Sequence, residues 1–97
     1  MKPEEIHAQR EMDEEILYYV RGMQTTAPVR AESVHGYLVK IRRRRVTDSM
    51  AADRLGYLVD RGFLAVREEW APGEGEVRYF EITADGRDVL DGVRPWE

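Results

Sequence analysis

Arg42, Arg43, Arg44 and Arg45 stand in succession, and no other run in this chain offers so definite a chemistry. A guanidinium stays charged at any ordinary pH and meets phosphate oxygens through a planar fork of donors, so four together could neutralise a polyanion backbone. The plainer reading is a solvated helix end whose cations complement the C-terminal dipole of the preceding helix. Four in a row exceed what a cap requires. Thr47, Asp48, Ser49, Ala52 and Asp53 follow, small or polar side chains that a helix would turn outward, and Arg54 stands just beyond them. Arg67 and Arg78 are two further cations, in a later stretch otherwise rich in glutamate.

Little else in the sequence could do chemistry. The chain has no cysteine, which excludes disulfides, thiol nucleophiles and cysteine-bound metals. His7 and Glu11 have the i, i+4 spacing of a metal pair, but no third ligand is in view. His35 lies beside an apolar stripe and reads as a partly exposed polar residue rather than a ligand or base. Glu68 and Glu69 would alternate to opposite faces of a strand and could not cooperate. There is no glycine-rich phosphate loop and no Ser-His-Asp pattern, so the sequence implies neither an enzyme nor a cofactor.

The net charge of −4 conceals a segregated distribution. Residues 1–22 carry three basic and six acidic side chains, residues 23–62 eight and four, and residues 63–97 four and nine, so a +4 middle lies between acidic ends. Recognition of a polyanion depends on the local potential within about 10 Å, which gives the middle segment more weight than the sum. No run approaches the roughly 20 apolar residues of a membrane span, and the N-terminus lacks the apolar core of a signal peptide. A cytoplasmic protein without membrane contact is expected.

The elements that must hold these residues can be read in order. One domain is expected over residues 1–97, with its core in 11–91 and a loose tail at 92–97 in which Trp96 could still pack. Pro3 to Gly22 form a first helix with Met12, Ile16, Tyr19, Val20 and Met23 at helical spacing, Glu4 and Glu5 at its N-terminus and Gly22 closing it. The acidic run Glu11 to Glu15 reads as a solvated outer face or an acidic docking surface. Pro28-Val29-Arg30 could pair as a short edge strand. Ala31 to Ile41 form a second helix on Val34, Tyr37, Leu38 and Ile41, with Gly36 on its back allowing close contact. Thr47 or Asp48 caps a third helix, which buries Ala51, Leu55, Leu58 and Val59, turns Ser49, Ala52, Asp53 and Gly56 outward, and ends on a left-handed Gly62. Phe63 to Trp70 and Val77 to Thr83 alternate as a hairpin, with Leu64, Val66, Phe80 and Ile82 facing inward and a loop longer than two residues between. Trp70 would pack across that hairpin or anchor an interface. Thr83 caps a short last helix through Val89 and Leu90.

Two linked motifs stand out: Asp53-Arg54-Leu55 with Leu58, Gly62, Phe63 and Leu64, and Phe80-Glu81-Ile82-Thr83 with Gly86, Arg87 and Leu90. Over residues 28–91 they resemble the winged-helix transcription regulators of the MarR type and, more loosely, the PadR type. The resemblance implies an α+β winged helix-turn-helix: a three-helix core, a small antiparallel hairpin as wing, and a short C-terminal helix. It implies a small DNA-binding regulator or accessory factor. Arg42, Arg43, Arg44 and Arg45 would touch phosphates, Thr47, Asp48, Ser49, Ala52, Asp53 and Arg54 would face base edges, and Arg67 and Arg78 would lie in the wing. Two features depart from the pattern. MarR-type regulators dimerise through long helices at both ends, where this chain has one N-terminal helix and a very short C-terminal one, and their wing is basic where this one carries Glu68, Glu69, Glu74 and Glu76. The other expectation is therefore a winged helix that binds protein instead of DNA. A homodimer or a protein partner at the N-terminal helix or wing stays open.

Overall fold

The computed structural model describes residues 2–96, apart from the side chains of Glu4 and Glu5, so the expected helix-end role of those two falls outside the described residues. Helix α1 spans Pro3–Met23, α2 spans Ala31–Gly36 and runs on into a π-helical turn at Tyr37–Ile41, and α3 spans Asp48–Asp60. Strands β1 (Leu64–Ala71) and β2 (Gly75–Ile82) form an antiparallel hairpin from Leu64↔Ile82 to Ala71↔Gly75, and α4 spans Ala84–Leu90. Val29 adds a single antiparallel bridge to Phe80, the expected edge pairing reduced to one residue beside a proline. The hairpin is longer than the alternation implied, and its loop is only residues 72–74.

One apolar cluster holds these elements together. Ile16, Leu17, Val20, Val34, Leu38, Leu55, Leu58, Phe63 and Leu64 are almost wholly buried in it, with Phe80, Ile82 and Val89 at its edge. The α3 stripe forms as its spacing predicts, with Ser49, Ala52, Asp53 and Gly56 exposed on the opposite side. Four expectations for the first two helices need correction. Gly22 does not close α1, which continues to Met23, and Met23 is exposed while Leu17 is buried. Gly36 faces open space. Ile41 is 68 % exposed, because the π turn, in which the Arg42 N–H reaches the Tyr37 carbonyl at 3.1 Å, widens the helix and breaks the 3.6-residue phase.

The two corners that aim α3 and the wing are one connected structure. Gly62 has φ +81°, and the N–H groups of Gly62 and Phe63 reach the Val59 and Leu58 carbonyls at 2.9 Å, satisfying the end of α3. The Thr83 hydroxyl donates to the Gly62 carbonyl at 2.6 Å and accepts from the Gly86 N–H at 3.0 Å, so one side chain ties the end of α3 to the start of α4. Gly86 is the glycine that close approach demands, since a Cβ there would lie 2.2 Å from the Phe63 carbonyl oxygen. The expected loose tail is held as far as Trp96, whose ring meets Phe63 edge-on at 5.6 Å and whose carbonyl accepts from Arg61.

Candidate nucleic-acid interface

The connection between α2 and α3 presents the arginine run, and its backbone is unusual. Arg43 has φ 58°, the left-handed region, where an L side chain costs roughly 1–2 kcal/mol. It occupies the place glycine takes at Gly62, and the following N–H, of Arg44, reaches the Leu38 carbonyl at 2.9 Å. Thr47 then caps α3 by accepting from the Met50 N–H at 3.1 Å. His35 fastens the turn to the capped end, with the Val46 carbonyl 2.8 Å from Nε2 and Asp48 2.8 Å from Nδ1. Sequence spacing gave no sign of that link.

The four arginines divide into two kinds. Arg42 Nε donates to Glu15 Oε1 at 2.9 Å, and Arg44 donates to the same carboxylate through Nε and, at 2.9 Å, through Nη2. Glu11 lies a further 3.9 Å from Arg44 and pairs with His7 at 3.0 Å. Burial opposes the charge on Glu15, but the hydrogen bonds and charges of Arg44 and Arg42 outweigh it and hold the carboxyl below its usual range. Arg43 and Arg45 are exposed and have no ion pair among the described residues. Lys40, not singled out in the sequence, is also exposed and has no ion pair among the described residues.

Arg54 is not available to a base edge as expected. It forms a two-pronged bond with Asp13, 2.9 Å from Nε and 2.6 Å from Nη2, and lies 4.3 Å over the Tyr57 ring. Asp13 is only 3 % exposed, and burial lifts its carboxyl above the usual range although the Arg54 bond and charge draw it down. The acidic run of α1 is thus no uniform solvated face, since Glu15 points at arginines of the turn before α3 and Asp13 at Arg54 of α3. That leaves Thr47, Asp48, Ser49, Ala52 and Asp53 as the exposed positions of the α3 start, with Asp60 exposed on the same side.

The two arginines of the wing are neutralised by its own glutamates. Arg67 pairs with Glu69 at 2.8 Å and with Glu81, and Arg78 pairs with Glu68 at 3.3 Å. Arg30 grips Glu74 at 2.7 and 2.9 Å, fixing the loop to the start of α2 and holding Glu74 well into its ionised form. Trp70 does not pack across the hairpin; it stands opposite Glu76 and is 75 % exposed. Between α3 and the hairpin runs a groove of about 580 Å³ with Val59, Val66 and Phe80 in its wall and Glu32, Asp60 and Glu76 among its rim residues. Among the described residues no three His, Asp or Glu side chains gather as a metal site, and no helix is long and apolar enough to cross a membrane.

No protein-family model matches the chain, and no curated protein matches its sequence. Solved structures do match its shape. A PadR-like transcription factor from Bacteroides fragilis superposes with a TM-score of 0.77 at 16 % identity, over 93 % of this chain and 82 % of that one. A candidate transcriptional regulator from Thermoplasma acidophilum superposes with a TM-score of 0.75 at 13 % identity, over 88 % and 78 %. Of the two types that the sequence resembles, PadR is the one a solved neighbour's name carries. With its three core helices, paired glycine corners and antiparallel hairpin, the chain has the α+β winged helix-turn-helix fold.

Proposed function

We propose that this domain binds double-stranded DNA as a small transcriptional regulator, with the start of α3 as its contact surface. The observation that carries the reading is the pair Arg43 and Arg45, without an ion pair among the described residues and exposed at the turn just ahead of a capped helix N-terminus. Backbone N–H groups and dipole at that terminus favour an anion, and the two arginines precede it in the turn. Thr47, Asp48, Ser49, Ala52 and Asp53 face the groove there. Their short and partly acidic side chains supply no two-pronged reading of guanine, so sequence discrimination is modest. Arg67 and Arg78 are held by wing glutamates and add little. The names of the two solved neighbours support the same reading.

A second reading, a winged helix that binds protein, is favoured by the exposed Trp70 and the carboxylate-rimmed groove beside it. One titration separates them. Fluorescence anisotropy of a labelled duplex of arbitrary sequence, at about 50 and 200 mM salt, should show binding that weakens with a log–log slope of about 0.9 per phosphate contacted. Arg43→Glu with Arg45→Glu should abolish it on every duplex. A parent protein that leaves the duplex unbound at the lower salt would refute the DNA reading and leave the protein-binding one.

A further inference from the structure

Arg42 and Arg44 belong to the same run as Arg43 and Arg45, yet both end on one carboxylate. Glu15 accepts from Arg42 Nε and from Arg44 Nε and Nη2, the arrangement of donors that a phosphate would receive. We infer that Glu15 of α1 acts as a built-in phosphate surrogate, which withholds two of the four turn arginines from DNA and sets the electrostatic strength of the interface. This rests on the DNA reading above and deepens it.

Two features assign that role to Glu15 and not to its neighbour Asp13. Arg42 is 48 % exposed and lines a cleft of about 350 Å³ together with Glu11, Glu15 and Tyr37, so its guanidinium can leave the carboxylate by side-chain rotation alone, and Arg44, 24 % exposed, holds the same carboxylate from beside it. Arg54 is held harder, because its partner Asp13 is 4 % exposed against 13 % for Glu15 and would be left behind as a buried charge. The Glu15 contact is therefore an exchangeable competitor for phosphate, and the Asp13 contact is a strut. Glu11 and Glu14, on the same helix, add negative charge near the cleft and oppose an incoming phosphate.

The test compares the parent with Glu15→Gln on the same duplex of arbitrary sequence across salt. Releasing one or two guanidiniums should steepen the log–log slope by up to about 1.8 and tighten binding about 8- to 60-fold near 0.1 M salt. The triple variant Glu15→Gln, Arg42→Gln, Arg44→Gln should return to the parent slope, which shows that the gain came through those two side chains. Side-chain Nε–H NMR signals of the parent provide a readout that needs no variant to fold. On adding duplex, Arg43 and Arg45 should shift while Arg42 and Arg44 stay in place. Parent binding with an unchanged slope for Glu15→Gln, or DNA-induced shifts of Arg42 and Arg44 equal to those of Arg43, would overturn the inference. Absence of binding by both proteins removes the DNA reading itself, and the competitor role with it.

Discussion

Arg43→Gly should make the domain more stable and a weaker DNA binder at once. The left-handed conformation at φ 58° costs an L residue roughly 1–2 kcal/mol, and glycine removes that cost while adding about 0.5–1 kcal/mol of unfolded-chain entropy. The net gain is about 0.5–1 kcal/mol, and Arg43 makes no ion pair among the described residues whose loss would offset it. DNA affinity moves the other way. One phosphate contact contributes a log–log slope of about 0.9, so its removal weakens binding about 8-fold near 0.1 M salt. Arg43→Ala is the control: it loses the same charge but keeps the strain, so its affinity should fall as far with no rise in stability. Urea denaturation reads the first quantity and duplex anisotropy the second. An Arg43→Gly variant less stable than the parent would refute the strain assigned to Arg43, and one that binds duplex as tightly would refute its phosphate contact.

Three other perturbations test the frame that aims this surface. Gly86→Ala forces a Cβ against the Phe63 carbonyl and should cost at least about 1–3 kcal/mol by urea denaturation; a change within about 0.5 kcal/mol would show that α4 can slide away from β1. Asp13→Ala leaves Arg54 enclosed and unpaired, a loss of about 3–5 kcal/mol, whereas Asp13→Leu with Arg54→Met should stay within about 1 kcal/mol of the parent or exceed it, and equal losses from both would mean that the site is not dry. Glu15 titrates below the ordinary glutamate value of 4.5, so its contribution to stability is fully present above that pH and is lost as pH falls through its folded value. The stability difference between parent and Glu15→Gln should accordingly shrink from about pH 6 to about pH 3, and a difference that does not change would refute the ion-paired state.

How much of this was legible in the sequence depended on whether a signal was local. The α3 stripe, the Thr47 cap, the left-handed Gly62 and the inward set Leu64, Val66, Phe80 and Ile82 all follow from spacing within one or two turns, where 3.6 and 2 are reliable periods. Ile41 was misplaced because that period was assumed to continue, and the π turn slipped the phase at the arginine run itself. In α1 the buried arc is rotated toward Asp13 and Leu17, away from Met23. Charge gave no warning of this, since an aspartate faces inward only where a partner meets it, and its partner Arg54 is 41 residues away. Trp70 failed through the register: with the second strand expected to begin at Val77, Glu76 stood in the loop, whereas it lies opposite the indole and leaves it 75 % exposed.

The pairing of charges between elements changes what a +4 segment can do. Arg42 and Arg44 are spent on Glu15, Arg54 on Asp13, and Arg30 on Glu74, so the positive field at the turn comes from Lys40, Arg43 and Arg45. Farther along the same surface Asp53 and Asp60 are exposed, and the potential falls away from the N-terminus of α3 toward its C-terminal end. Two or three phosphate contacts give a log–log slope of about 2–3, well short of the 6–10 contacts from which strongly salt-dependent binders draw their affinity. On the proposed DNA reading, one copy of this domain in the described state would therefore be a weak reader. Tight binding requires either a second copy contacting the same duplex, which doubles the number of contacts, or release of the arginines at Glu15, which nearly does so within one chain. These routes differ in protein concentration dependence: the first gives a sigmoidal titration, and the second a simple one whose slope against salt steepens when Glu15 loses its charge.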